Sequence, residues 1–140
     1  MADPVIVLDT SVLSMVLRRR PAARNTALAD AFRALLMSHR MYLPGITMQE
    51  ILSGIQDPAA YRALFGHLAS FTPIMAEQAD HVLAAEVVTR CRAAGVTASA
   101  TDALIAAQAM RRSYVVLTTD PDFEHMQPHV LGLEVLKLQP

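Results

Sequence analysis

Two short, continuous apolar runs, at residues 5–8 and 114–117, are the clearest pattern in the chain. Both are rich in β-branched residues, which is typical of central parallel strands that are buried on both faces. Residues 41–46 give a weaker strand pattern because a proline and a glycine interrupt it, and residues 133–138 give a late one. With a short run at residues 71–74, the pattern predicts four or five strands.

Between these strands the apolar residues recur at intervals of three and four, which is the spacing of an amphipathic helix. The predicted helices cover residues 22–40, 47–54, 59–69, 76–94 and 100–112. Gly95 is expected to follow the last turn of the fourth helix. Because strands and helices alternate, we predict one domain over residues 1–140, a three-layer α/β/α sandwich with a mostly parallel central sheet.

The apolar runs, the first residues and the cysteine content together indicate where in the cell the protein is expected. Hydrophobic residues make up 53% of the chain, but arginines interrupt every run that approaches the roughly 20 apolar residues needed to cross a bilayer. The first residues also lack the basic start and long apolar stretch of a secretory signal. The single Cys91 agrees with a reducing environment. We therefore expect a cytoplasmic protein that makes no membrane contact.

The formal net charge is −1, so charge alone does not indicate a nucleic-acid partner. Eleven of the twelve basic residues are arginine, whose planar guanidinium suits bidentate contact with phosphate. Several arginines cluster shortly after the first predicted strand, at Arg18, Arg19, Arg20 and Arg24. The cluster fits either a solvated surface between two helices or a contact surface for nucleic-acid phosphates.

Four acidic residues occupy positions that a parallel sheet brings to one edge. Asp9 directly follows the first strand, and Glu50 lies in the first turn of the helix after the second. Asp102 lies in the first turn of the helix at residues 100–112. Asp120 lies just beyond the strand that begins at residue 114. Ligands of open parallel sheets bind at the carboxyl ends of the strands. We therefore expect these four acids to converge.

Three of the acids also have an ordinary structural explanation. Glu50 fits a helix-capping box with Thr47. Asp102 fits an acid placed in the first helical turn behind an N-cap at Thr101. Asp120 fits the first position of a type I turn. These alternatives stay open for each residue taken singly.

Asp9 is harder to explain by structure alone, because a carboxylate after four buried residues needs solvent, a donor or a cation. Clustered carboxylates also raise one another's pKa unless positive charge intervenes. Mg²⁺ is the typical ion, since it prefers oxygen ligands and retains waters that can act as nucleophiles. The five histidines show no HxH pair, and with a single cysteine a zinc site is disfavoured. The chain also contains no P-loop, GxGxxG or GxSxG motif.

Four segments together resemble the PIN domain, and specifically the VapC-type toxins of bacterial toxin–antitoxin pairs. They are VIVLDTSVL, TMQEIL, ASATDALIAAQA and VVLTTDPDF, and the resemblance covers essentially the whole chain. It implies an endoribonuclease that depends on Mg²⁺ or Mn²⁺ and forms a homodimer. It also implies an antitoxin partner whose C-terminal segment covers the acidic site.

The resemblance assigns roles by position. Asp9, Glu50 and Asp102 match the three central acids, and Asp120 matches the fourth, with Asp122 as its rival. Asp9 and Asp102 are the metal ligands expected first. Glu50 is either a ligand or a general base that acts through a water. Asp120 is preferred to Asp122 because it is nearer the strand end.

Supporting residues follow from the same resemblance. Ser11 matches a small hydroxyl residue expected to bond to a neighbouring carboxylate or to a water at the metal, and Thr118 and Thr119 give the fourth acid a polar approach. The candidate contacts with RNA phosphates are Arg18, Arg19, Arg20 and Arg24.

Two alternative functions compete with this interpretation. A phosphatase of the aspartyl-phosphate type would use Asp9 as the nucleophile. That class usually has a second acid two residues later, where this chain has Ser11, and a lysine, for which Lys137 in the last strand is poorly placed. A catalytically silent PIN-like scaffold is the non-enzymatic alternative, and the retention of all four acids disfavours it.

Overall fold

The computed structural model describes residues 4–17 and 26–139. Five strands and seven helices follow one another in this part of the chain, together with one 3₁₀ turn at Gln127–His129. In chain order they are β1 (Ile6–Leu8), α1 (Thr10–Val16), α2 (Thr26–Ser38), β2 (Met41–Pro44), α3 (Gly45–Leu52), α4 (Pro58–Leu68), β3 (Thr72–Ile74), α5 (Gln78–Ala93), α6 (Ala100–Arg112), β4 (Val115–Thr118), α7 (Asp122–Met126) and β5 (Glu134–Lys137).

The five strands form one sheet in the order β3-β2-β1-β4-β5, and every neighbouring pair is parallel. β1 lies at the centre, with Ile6 paired to Met41 of β2 on one side and to Val115 of β4 on the other. The predicted parallel sheet is confirmed. Because the central strands run the same way, the residues that follow β1, β2 and β4 emerge at one edge.

Alternate strand residues face two different helical layers. Val7 and Val116 pack into a buried cluster with α5, α6 and α7. Ile6, Leu8 and Leu117 pack into a second cluster with residues of α1, α2 and α4. Both faces of the sheet are therefore covered, which explains the continuous apolar runs of β1 and β4 and confirms the three-layer sandwich.

Two short helices were not predicted. α1 and α7 contain seven and five residues, too few for a helical period to stand out from the sequence. The longer helices agree with the prediction to within a few residues at their described ends. Gly95 has φ +78° and follows the last turn of α5, as expected for a left-handed residue after a helix. No helix in the described ranges is long and apolar enough to span a membrane.

Candidate metal centre

Asp9 ends the pairing of β1 and caps α1. Its N–H donates to the carbonyl of Leu117 (3.1 Å), which continues the ladder with β4. The residue is 3% exposed. Its Oδ2 accepts hydrogen bonds from the Ser11 hydroxyl (2.7 Å), the Thr118 hydroxyl (2.7 Å) and, more weakly, the Ser11 N–H (3.4 Å). Donors thus satisfy one oxygen of a carboxylate that the sequence predicts to need a donor or a cation.

The two hydroxyl groups at Asp9 have fixed directions. Each hydroxyl has a single proton, which it gives to the Asp9 carboxylate. Each oxygen then accepts a backbone N–H, Ser11 Oγ from Thr119 (3.0 Å) and Thr118 Oγ1 from Asp120 (2.9 Å). No proton is left for the 3.1 Å contact between the two hydroxyl oxygens. The network ties the end of β1 to the segment that follows β4.

Asp102 lies half-buried in the first turn of α6. Ser99 caps this helix, because its hydroxyl oxygen accepts the Asp102 N–H at 3.0 Å. The alternative that makes Thr101 the N-cap is wrong, since α6 begins at Ala100 and Thr101 lies within its first turn. The serine cap fixes the start of α6 and therefore the position from which the Asp102 side chain extends.

Three aspartates form a tight group at this edge of the sheet. Asp102, Asp120 and Asp122 each bring one carboxylate oxygen to within 4.8 Å of the others. The pKa of Asp102 is raised to about 6, and burial is the largest cause. The negative charge of Asp9 also raises this pKa, and the charges of Asp120 and Asp122 raise it by less. A hydrogen bond with Ser99 lowers it in part. Repulsion among the acids therefore adds to the effect of burial at Asp102.

Both candidates for the fourth acid belong to this group. Asp120 is half-buried between β4 and α7, whereas Asp122 is exposed in the first turn of α7. Asp120 Oδ1 also accepts the Asp122 N–H at 2.9 Å, so its structural role in the turn is real. That role and membership of the acidic group are compatible, because the hydrogen bond occupies only one carboxylate oxygen.

Glu50 lies apart from the three-aspartate group. It is exposed on α3, and its Oε1 accepts a hydrogen bond from the Thr10 hydroxyl at 2.6 Å. The capping-box alternative is wrong, because α3 begins at Gly45 and the buried Thr47 hydroxyl donates instead to the carbonyl of Leu8 (3.0 Å). Glu50 is therefore held by the residue next to Asp9, although it is not among the acids that raise the pKa of Asp102.

The donor set fits a hard divalent cation. Asp102, Asp120 and Asp122 offer only carboxylate oxygens, the ligands that Mg²⁺ and Mn²⁺ prefer. Opposite ligands of Mg²⁺ lie roughly 4.2 Å apart, so oxygens within 4.8 Å of one another need little movement to share an ion. A cation would also relieve the repulsion that contributes to the raised pKa of Asp102.

Of the basic residues that the sequence singles out, only some fall within the described residues. Arg18, Arg19, Arg20 and Arg24 lie outside the described residues. Lys137 is better placed than its position in the last strand suggested, because it pairs in register with Thr118 at the acidic edge. Its ammonium lies 3.3 Å from Glu124 Oε1. The phosphatase alternative still lacks an acid at the position of Ser11.

Sequence reasoning missed two residues that shape the site. Ser99 carried a usable signal, since a serine three positions before Asp102 matches the spacing of an N-cap and the third helical residue. Thr10 carried none, because its bond to Glu50 joins residues 40 positions apart. Local patterns identify helix caps, whereas contacts between elements depend on how α1 and α3 pack.

A family model described as the PIN domain matches residues 6–127. No curated protein sequence matches the chain.

Solved structures with similar folds cover nearly the whole chain. A chain of FitAcB from Neisseria gonorrhoeae is 22% identical with a TM-score of 0.72, over 95% of this chain and 97% of that one. A chain of VapBC2 from Rickettsia felis, bound to a DNA fragment from their promoter, is 14% identical with a TM-score of 0.77, over 96% and 99%. A chain of VapBC-5 from Mycobacterium tuberculosis, of the VapBC family of toxin–antitoxin systems, is 20% identical with a TM-score of 0.68, over 96% and 100%. At these identities the likeness establishes the fold.

Proposed function

The chain belongs to the PIN domain family, and on that premise we propose that it is an endoribonuclease dependent on Mg²⁺ or Mn²⁺. We propose further that it is the toxin of a toxin–antitoxin pair. One observation carries the nuclease proposal, the convergence of Asp102, Asp120 and Asp122 within 4.8 Å at the carboxyl edge of the sheet. The pKa of Asp102, raised by burial and by the charge of Asp9, supports the same site.

The proposed metal ligands are Asp9, Asp102 and Asp120, with Asp122 as the alternative fourth acid and Glu50 as either a ligand or a general base. Phosphodiester hydrolysis needs an activated water, relief of charge on the phosphate oxygens and support for the leaving oxygen, and bound divalent metal supplies these. The protein's own task is then to hold oxygen ligands in place. This role suits aspartates placed after β1, in the first turn of α6 and after β4.

Ser11 and Thr118 act on Asp9 in this proposal. Both hydroxyls donate to Oδ2 at 2.7 Å, so the carboxylate is oriented before any ion binds. Within the described residues no hydrogen-bond donor reaches Asp9 Oδ1, which leaves that oxygen for a cation. Thr10 similarly occupies one oxygen of Glu50. The other can ligate an ion or take a proton from a water.

The substrate and partners belong to the same proposal. We assign RNA as the substrate and Arg18, Arg19, Arg20 and Arg24 as its phosphate contacts. An antitoxin whose C-terminal segment covers the acidic site, a homodimer and a cytoplasmic location complete the assignment, for a single domain over residues 1–140. The similar fold of VapBC-5, a member of the VapBC family of toxin–antitoxin systems, supports an antitoxin partner.

The proposal is tested by incubating the purified chain with end-labelled single-stranded RNA, with and without Mg²⁺ or Mn²⁺. We expect cleavage that requires the ion and stops in excess EDTA. A matched single-stranded DNA separates ribonuclease from general nuclease activity. Glu134→Gln is the control substitution, because Glu134 is exposed at the start of β5, away from the acidic edge. RNA cleavage that persists undiminished in EDTA would overturn the metal mechanism.

A further inference from the structure

Thr10 lies between Asp9 and Ser11 in the chain, but its hydroxyl binds Glu50. It is the first residue of α1, after Asp9, which caps the helix, and before Ser11, whose hydroxyl donates to Asp9. The Thr10 hydroxyl instead crosses to α3 and donates to Glu50 Oε1 at 2.6 Å. We propose that Thr10 is a positioning residue that holds the Glu50 carboxylate at a fixed place relative to Asp9. This inference rests on the proposed nuclease function.

Glu50 needs such a partner because its side chain is long and exposed. A glutamate of this kind samples several rotamers unless a contact selects one. Within the described part of the chain, no other hydrogen bond or ion pair reaches the Glu50 carboxylate. Thr10 therefore supplies the contact that turns a freely rotating carboxylate into a placed one.

The geometry of the bond suits this task. A donor-to-acceptor distance of 2.6 Å lies in the short range typical of a hydroxyl that donates to an ionised carboxylate. Such bonds to charged groups are stronger than neutral ones. The threonine side chain is also branched at Cβ and has few rotamers, so its hydroxyl direction changes little.

Both ends of the bond rest on fixed backbone. At one end, Asp9 continues the sheet ladder through its N–H bond to Leu117. At the other end, the buried Thr47 hydroxyl binds the Leu8 carbonyl and anchors α3 to β1. The remaining freedom between the two acids is the rotation of the Glu50 side chain, and Thr10 removes it.

The test compares Thr10→Val, which keeps the shape and removes the hydroxyl, with Thr10→Ser, which restores a hydroxyl. We expect Thr10→Val to lower kcat for RNA cleavage by about tenfold to a hundredfold, the effect of losing a hydrogen bond to a charged group. KM should change little. Thr10→Ser should recover most of the loss. Thr89→Val is the matched control, because Thr89 is an exposed helical threonine that bonds only its own helix at Ala85.

A second readout separates positioning from a structural tie between α1 and α3. Mn²⁺ affinity by calorimetry and thermal unfolding are measured for Thr10→Val, Glu50→Gln and the double variant. We expect Thr10→Val to change kcat and Mn²⁺ affinity in the direction of Glu50→Gln, and to add nothing in the Glu50→Gln background. Equal losses from Thr10→Val in both backgrounds, or a lowered unfolding temperature with unchanged kcat, would show a structural role and overturn the inference.

The inference and the proposed function fail in different ways. Full activity of Thr10→Val beside an inactive Glu50→Gln overturns the inference and leaves the nuclease proposal standing. Full activity of Glu50→Gln overturns the role of Glu50 and the inference with it. A wild-type chain that binds Mn²⁺ but cleaves no RNA contradicts the proposed function, and the calorimetric comparison of Thr10→Val with Glu50→Gln still decides whether Thr10 positions Glu50.

Discussion

Two aspartates near opposite ends of α6, one of them contributed by α5, have opposite electrostatic surroundings. Asp80 is fully buried in the first turn of α5 and contacts the last turn of α6. Arg111 Nη1 and Arg112 Nη1 each lie 2.9 Å from Asp80 Oδ1. Arg112 Nη2 lies 3.1 Å from Asp80 Oδ2. Asp102, in the first turn of α6, faces the acids of the sheet edge instead. A neutralised carboxylate from α5 thus lies against the last turn of α6, whereas the first turn of α6 carries a repelled one.

The direction of each pKa shift depends on whether neighbouring groups offset the effect of burial or add to it. Burial alone would raise the pKa of Asp80, but hydrogen bonds from Arg112, the Glu77 N–H and Arg111 hold it well below its usual range. Burial raises the pKa of Asp102 to about 6, and there the neighbouring charge of Asp9 adds to the effect. Arg111 and Arg112 provide the positive charge that neutralises the structural aspartate, Asp80. At the sheet edge the carboxylates suit a cation from solution.

The largest expected effect comes from Asp102→Asn, which removes the carboxylate at the acidic end of α6. We expect RNA cleavage to fall roughly a thousandfold, as for loss of a central electrostatic group in a catalytic site. Because the substitution also removes a repelled charge, the free energy of unfolding of the metal-free protein should rise by about 1–2 kcal/mol at pH 7. Cleavage assays and urea unfolding in EDTA check both. Unchanged cleavage would make Asp102 a structural residue of the helix start.

Asp80→Asn removes the α5 carboxylate that lies against the last turn of α6 and leaves two arginines without their buried counter-charge. We expect the free energy of unfolding to fall by about 3 kcal/mol, as for breaking a buried ion pair from one side. The kcat of the folded fraction should stay close to that of the wild type, because Asp80 lies at the far end of the helix. Urea unfolding measures the first effect, and cleavage below the unfolding temperature measures the second. A stability loss below 0.5 kcal/mol, the range of exposed ion pairs, would contradict this view of the cluster.

Thr118→Val tests the orientation of Asp9 within the acidic edge. The variant loses a hydroxyl that donates to Asp9 Oδ2 and accepts the Asp120 N–H. We expect a fall of about 1.5–3 kcal/mol in the free energy of unfolding, from the loss of a charge-assisted bond. Thr118→Ser should restore most of it. A serine variant no better than valine would mean that packing, and not the hydroxyl, matters at this position.

The pH dependence of the two aspartates should have opposite signs. The folded-state pKa of Asp102 is raised to about 6 from 3.8, so the unfolded state releases its proton first. Wild-type stability relative to Asp102→Asn therefore falls between about pH 4 and pH 6, by about 1–2 kcal/mol.

The pKa of Asp80 is lowered in the folded state, so its pairing stabilises the protein above about pH 4 and is lost as the pH falls below that value. Urea unfolding of the metal-free wild type and both variants from pH 3 to pH 7 measures each contribution. Parallel profiles for the two variants would contradict the opposite signs of the two shifts.

The smallest effect is expected for an exposed ion pair on the same two-helix layer. Arg90 Nη2 lies 2.6 Å from Glu86 Oε1 on α5, and both side chains are at least half exposed. Because solvent screens this pair, Glu86→Gln should change the free energy of unfolding by only about 0.3–0.5 kcal/mol. A loss as large as that of Asp80→Asn would show that burial does not distinguish the two pairs.

The parallel sheet was predictable because buried parallel strands leave a strong signal. The continuous apolar runs of β1 and β4 identified the central strands, and parallel topology then implied that Asp9, Asp102 and Asp120 meet at one edge. The structure groups Asp102 and Asp120 with Asp122, places Asp9 near enough to raise the pKa of Asp102, and leaves Glu50 apart. The convergence followed from topology and needed no knowledge of side-chain contacts.

Contacts between distant elements were not predictable in the same way. The Asp80 cluster joins residues 31 and 32 positions apart, and the Thr10–Glu50 bond joins residues 40 positions apart. The errors at Thr47 and Thr101 have a related cause. A capping pattern in sequence depends on where the helix begins: α3 begins at Gly45, two residues before Thr47, and α6 begins at Ala100, one residue before Thr101.

The double duty of Asp9 determines how an inert but intact form of the protein should be made. The Asp9 carboxylate caps α1 and accepts both hydroxyls through one oxygen. Replacing Asp9 with alanine would remove the N-cap of α1 and leave the Ser11 and Thr118 hydroxyls without their acceptor. It would also remove the side-chain hydrogen bonds that connect the end of β1 with the end of β4. Asp102 has fewer obligations, because its side chain caps no helix and the Ser99 cap of α6 is made through the Asp102 N–H, which asparagine keeps. Asp102→Asn is therefore the better bait for capturing an RNA or a protein partner on an unaltered surface.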